Sequence, residues 1–141
     1  MAYSVFLDTN IVVDFFLPDR NGHKYAVAII EASEKMVLKA CFSESVLNTT
    51  TYLIRKSIYA REFKKAMLEF NTFIKVLPCS NKTVEHAYHH AKNDLEDAVL
   101  YQIALEGKMD YFITSNMKDL KKLEQSSLPV VTAKELLTII A

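Results

Sequence analysis

The chain has 141 residues, half of them hydrophobic and 24% charged, enough for one well-filled domain of ordinary size. Its 17 Lys and Arg balance 17 Asp and Glu, so net charge gives no pull toward nucleic acid and any such binding must come from local patches. Two glycines, Gly22 and Gly107, stand far apart, which excludes the glycine-clustered phosphate loops of nucleotide-binding folds.

Tyr3–Leu7 reads as an apolar strand ending at Asp8, and Asn10–Leu17 as one or two helical turns stopped by Pro18-Asp19. From Asn21 a helix is expected, with Tyr25, Ala28, Ile29 and Ala32 at helical spacing. Met36–Phe42 is the second strand, and Ser43 is a candidate cap for a helix carrying Val46, Leu47, Leu53 and Ile54. A further helix runs through Phe63, Met67, Phe70 and Ile74, then a brief strand at Lys75–Pro78 and a helix over Asn81–Lys92. Asp94 opens the next helix, closed by Gly107. Tyr111–Thr114 and Pro129–Val131 are the last strands, and Thr132 caps a final helix from Ala133. Alternation of this kind predicts an α/β three-layer sandwich, a central and mostly parallel five-stranded sheet flanked by helices, as one domain over 1–141.

Cys41 and Cys79 match no metal or redox spacing and read as small buried hydrophobes of a reducing compartment. No basic leader opens the chain, and no apolar run approaches the ~18 residues of a membrane span. The expectation is a cytoplasmic protein.

Ligands of open parallel sheets bind beyond the carboxyl ends of the strands. Asp8 ends the first strand and Thr114-Ser115-Asn116 the fourth, so both reach that edge. Asp94 and Asp97 share a face at a helix start that can turn to the same edge, and Asp119 lies three beyond Asn116. Each acid has a plain structural explanation: Asp8 as a cap, Asp94 with Asp97 as a loose capping box. Gathered in one crevice, however, they would repel unless a cation neutralised them. Carboxylates without His or Cys companions favour Mg²⁺ or Mn²⁺.

These residues resemble the PIN-domain nucleases, a family that includes the toxin ribonucleases of VapBC pairs. The likeness rests on Leu7-Asp8-Thr9-Asn10, Tyr52-Leu53-Ile54-Arg55-Lys56, Asp94-Leu95-Glu96-Asp97-Ala98, Ile113-Thr114-Ser115-Asn116 and Leu128-Pro129-Val130-Val131-Thr132, nearly the whole chain. The resemblance implies a Mg²⁺- or Mn²⁺-dependent ribonuclease acting on single-stranded RNA, a homodimer, with an antitoxin as a further partner. It also implies that Asp8, Asp94 and Asp97 hold the metal and that Asn116 joins them in catalysis. Asn48, Thr49, Thr114 and Asp119 would stand behind them or against substrate. Two positions depart from the family pattern. Thr49 occupies the place of the second acid, with Glu44 a turn early, and Asn116 the place of the fourth, with Asp119 as a stand-in. The mechanism so implied is in-line attack of water on a phosphodiester, the ion lowering the pKa of that water and clamping the charged oxygens.

His86 and His90 stand at i,i+4, a zinc-capable spacing, but without the HExxH glutamate or a third ligand. Arg55, Lys56, Arg61, Lys64 and Lys65, and later Lys118, Lys121 and Lys122, can flank the crevice and touch RNA phosphates, or be solvated helix faces. Two competing readings remain at this level: a catalytically silent PIN-like module that binds nucleic acid or protein, and a haloacid dehalogenase-like phosphatase with Asp8 as nucleophile. The second needs an aspartate where Asn10 stands.

Overall fold

A computed structural model describes residues 2–141. Its elements run β1 (Tyr3–Leu7), α1 (Thr9–Phe16), α2 (His23–Glu34), β2 (Leu38–Ser43), α3 (Glu44–Ile54), α4 (Ala60–Phe70) and β3 (Lys75–Leu77). They continue with α5 (Asn81–His90), α6 (Leu95–Glu106), β4 (Tyr111–Ile113), α7 (Met117–Leu120), a 3-10 turn (Lys121–Leu123), β5 (Val130–Val131) and α8 (Ala133–Ile140). The five strands form one sheet in the order β3-β2-β1-β4-β5. Every pairing is parallel, which sharpens the mostly parallel expectation. Helix-length crossovers between consecutive strands leave no hairpin to reverse a strand.

Helices cover both faces, so Val5, Phe6 and Leu7 are fully buried and β1 is apolar at successive positions instead of alternating. Phe6 stacks on Phe112 of β4 with centroids 5.2 Å apart. The Tyr101 hydroxyl donates to the Leu128 carbonyl at 2.6 Å and accepts from Gln125 N at 2.8 Å, fastening α6 to the segment before β5. Along the sheet, β1 has β2 on one side and β4 on the other. Strand order reverses there, and the crevice at such a reversal is where open α/β sheets place their ligands.

Several boundaries differ from the sequence expectation, each for a local reason. After α2, Met36 takes the left-handed conformation (φ 62°), with Met36 N bonded to Ser33 O and Val37 N to Ala32 O, so β2 starts only at Leu38. Lys108 (φ 56°) does the same after α6. Gly107, expected to close that helix, is its right-handed C-cap; its lack of a side chain matters because a Cβ there would come within 2.7 Å of Leu77 Cδ1. α4 stops at Phe70, leaving Phe73 and Ile74 in a turn. The short α7 and the 3-10 turn carry no apolar period and went unexpected. Cys79 corrects the reading of two buried thiols. Cys41 is buried in β2, but Cys79 lies beyond β3 and is exposed.

Candidate active site

Asp8 follows β1 and is 4% exposed. Its Oδ1 accepts from Thr9 N at 2.8 Å, making it the cap of α1. Its Oδ2 accepts from Thr114 Oγ1 at 2.6 Å, across the β1–β4 reversal. Asp8 N donates to the Ile113 carbonyl at 3.0 Å, which continues the β1–β4 pairing to the acid itself. Each carboxylate oxygen keeps a second lone pair, so the cap does not exhaust the group. Burial pushes the Asp8 carboxyl above its ordinary range, against the opposing pull of the bonds from Thr114 and Thr9.

The chain of bonds continues outward. Thr114 Oγ1 accepts from Asn116 N at 2.9 Å, and Asn116 Nδ2 donates to Asp119 Oδ2 at 3.1 Å. Lys122 Nζ stands 3.9 Å from Asp119 Oδ1. Asn116 therefore orients Asp119, one turn on at the start of α7.

Asp94 begins α6 but makes no capping bond with its side chain. The capping-box reading of Asp94 and Asp97 falls, because the Asp94 carboxylate is turned elsewhere. Asp94, Asp97 and Asp119 each present an atom within 4.8 Å of the others. Among the described residues this is the one His, Cys, Asp or Glu group so arranged. Asp97 is pushed up to about 6, first by burial and then by the charges of Asp8, Asp94, Asp119 and Glu96. Like charges this close favour either a proton or a cation. All the donors are hard oxygens, which fits Mg²⁺ or Mn²⁺ and not a soft metal.

The structure thus gathers Asp94 and Asp97 as anticipated and draws Asp119, held in reserve as a stand-in, into the group with them. Asp8 lies beside this trio, close enough for its charge to act on Asp97. Thr49 is half-buried and Asn48 exposed on α3, and among the described residues no hydrogen bond joins either to an acid. Among the described residues the histidines join no group of potential metal ligands, and His90 Nδ1 bonds the His86 carbonyl at 2.8 Å within α5. His90 instead lines, with Lys92, Asn93, Asp94, Lys122 and Leu123, a pocket of about 230 Å³ bordering the trio. Of the anticipated basic residues, Lys122 is thereby at the crevice. Lys121 is tied to Glu124 at 3.0 Å, and Arg55 lies over the Tyr52 ring. Sequence reading passed over Asp14, a buried carboxylate in an otherwise apolar stretch of α1. Its signal was there, since a lone acid on a core-facing stripe has to be paired.

An all-parallel five-stranded sheet with acids converging at its order reversal defines a PIN-type α/β fold. The PIN domain family model matches residues 4–118, and the chain belongs to that family. The phosphatase reading falls with that assignment. Among curated relatives, ribonuclease VapC1 of Aquifex aeolicus strain VF5 is 26% identical over 139 residues, spanning 93% of this chain and 91% of the relative. Two solved structures share the fold. VapC20 of Mycobacterium tuberculosis, described as a sarcin–ricin loop cleaving toxin, aligns with a TM-score of 0.67 and 16% identity over 87% of this chain and 97% of that one. A chain of VapBC2 from Rickettsia felis, bound to a DNA fragment from its promoter, aligns at 0.66 and 18% over 92% and 98%.

Proposed function

We propose that the protein is a divalent-metal-dependent ribonuclease that hydrolyses phosphodiester bonds of single-stranded RNA as the toxin of a toxin–antitoxin pair. The observation that carries this reading is the trio Asp94, Asp97 and Asp119 beside Asp8 at the β1–β4 reversal. The named relatives point the same way: one a ribonuclease, one a sarcin–ricin loop cleaving toxin, one part of a VapBC pair.

In this reading Asp94, Asp97 and Asp119 would hold Mg²⁺ or Mn²⁺, with Asp8 as a further carboxylate beside them. When bound, the ion lowers the pKa of an attacking water and screens the charged phosphate oxygens. Thr114 fixes the Asp8 carboxylate, and Asn116 fixes Asp119. Thr49 and Asn48 add no charge from α3, so substrate would complete that side. Lys122 and Lys92 take up backbone phosphates beside Asp94. Tyr52, Leu53, Tyr59 and Leu68, exposed on or next to α3 and α4, offer apolar surface for an antitoxin or for a second copy in a homodimer. The whole chain works as one domain in the cytoplasm, a compartment that suits its two unpaired cysteines.

The test is cleavage of labelled single-stranded RNAs with Mn²⁺, Mg²⁺ or EDTA, comparing wild type with Asp97→Asn. Cleavage is expected only with metal, and Asp97→Asn should lower it by about a thousandfold, several kcal/mol of lost transition-state stabilisation, while leaving the fold intact. Cleavage that resists EDTA, or full activity in Asp97→Asn, contradicts the proposal. Tight RNA binding without cleavage would favour the silent binding module, for which the neutral Thr49 and Asn116 are the motive.

A further inference from the structure

Asp14 is a buried carboxylate, 5% exposed, that the proposed cleavage does not use. An apolar residue would fill its place on α1 without the desolvation cost of a charge. What the acid gains is a fixed partner: Arg20 Nε donates to Asp14 Oδ1. The loop between α1 and α2 is folded back to allow this. Arg20 N bonds the Leu17 carbonyl at 3.0 Å, and His23 Nδ1 bonds the Asp14 carbonyl at 2.9 Å. Gly22 completes the fit, because a Cβ there would overlap Asp14 Oδ2.

Pairing through Nε leaves both terminal nitrogens of Arg20 with no acceptor among the described residues. The side chain of Arg20 is 43% exposed while that of Asp14 is 7% exposed, so the guanidinium leads from a buried anchor to open water. It lines, with Asp14, Asp19, Asn21, Gly22 and Ser115, an open cleft of about 410 Å³. Ser115 is exposed and directly follows Thr114, the residue bonded to Asp8. The cleft therefore adjoins, through consecutive residues of the chain, the threonine that holds Asp8. The crevice itself repels RNA, and the chain carries no net charge to offset that repulsion. Arg20 brings no net charge past its pair with Asp14 and the neighbouring Asp19, but its two free terminal nitrogens form a fixed planar fork of donors that matches two phosphate oxygens.

We propose that Arg20, positioned by Asp14, forms with Ser115 a binding subsite for a backbone phosphate of the RNA next to the bond cut at the acid crevice. The proposal rests on the ribonuclease reading for its substrate class. The measurement is fluorescence anisotropy of a short labelled single-stranded RNA in EDTA, where binding is read without cleavage, across a series of salt concentrations. Arg20→Gln should bind about tenfold more weakly, and its plot of log K against log salt should be shallower by about 0.7, the mark of one lost phosphate contact on a single strand. Ser115→Glu keeps both Asp14 and Arg20 and should also weaken binding by placing an anion in the cleft that competes with phosphate for the guanidinium. Asp14→Asn keeps an oxygen for Arg20 Nε and should retain affinity that Asp14→Ala loses.

Unchanged affinity in both Arg20→Gln and Ser115→Glu overturns the subsite. So does a loss confined to Arg20→Gln that comes with a lower melting temperature and an unchanged salt slope, because Arg20 would then only fasten the loop. Equal affinity in the two Asp14 variants removes Asp14 from the proposal. Should wild type bind RNA with these dependences yet fail to cut it in Mn²⁺, the ribonuclease reading falls and the subsite stands.

Discussion

On the β1–β4 side of the crevice, side chains hold one another in series, from Asp8 through Thr114 and Asn116 to Asp119. On the α3 side, Asn48 is exposed, Thr49 is half-buried, and Thr50 is fully buried with its Oγ1 lacking any partner among the described residues. One region is charged and cross-braced. The other is neutral and leaves a hydroxyl unsatisfied. The contrast teaches that the gathered acids come from the strand ends, α6 and α7, whereas α3, whose one acid is Glu44 at its start, is neutral at 48–50.

The strongest way to break the contrast is to remove the brace. Thr114→Val deletes the bond to a buried carboxylate and strands Asn116 N, so it should cost about 2–3 kcal/mol in urea unfolding. A loss below ~1 kcal/mol would mean the series of bonds contributes little.

Next comes the repulsion among the gathered acids. Asp97 titrates at about 6 in the folded chain against an ordinary 3.8. Its folded form thus holds a proton that the unfolded chain has released, and the stability it contributes is present below about pH 4 and lost as pH rises through about 6. With the group half-buried and screened, the decline should be about 1–2 kcal/mol. Wild type minus Asp97→Asn isolates it from other carboxylates, and saturating Mn²⁺ should flatten the difference. A difference that instead grows with pH would show that Asp97 is stabilised as the anion without metal.

The α3 side offers smaller changes. Thr50→Val removes an unpartnered buried hydroxyl at nearly constant shape and should stabilise by about 1 kcal/mol in thermal melts. Destabilisation there would reveal a partner for Oγ1. Thr49→Glu brings a charge to the neutral side. It should lower metal-free stability by under about 1 kcal/mol and tighten Mn²⁺ binding in calorimetric titration. If Mn²⁺ affinity is unmoved, α3 does not face the ion.

Much of the frame was legible because its signals are local. The apolar run before Asp8, the Ser43 cap and the Thr132 cap all fall where the sequence put them. A short helix such as α7 has too few residues to display a period among lysines. Of the site, the approach of Asp8 to Thr114 followed from their places at strand ends. The pairing of Arg20 with Asp14 depended on a loop turning back, which no spacing rule announces. Asp119, in the group with Asp94, accepts a hydrogen bond from the Asn116 side-chain amide, and geometry of that kind is a property of the folded chain alone.

The strand order also bears on how the chain matures as it is made. β1 is synthesised first yet finishes at the centre of the sheet, and Thr114, which completes the surroundings of Asp8, follows it by 106 residues. Domains generally fold as units as they emerge from the ribosome. A nascent or truncated chain lacking β4 and α7 therefore carries Asp8 without Thr114 or Asp119.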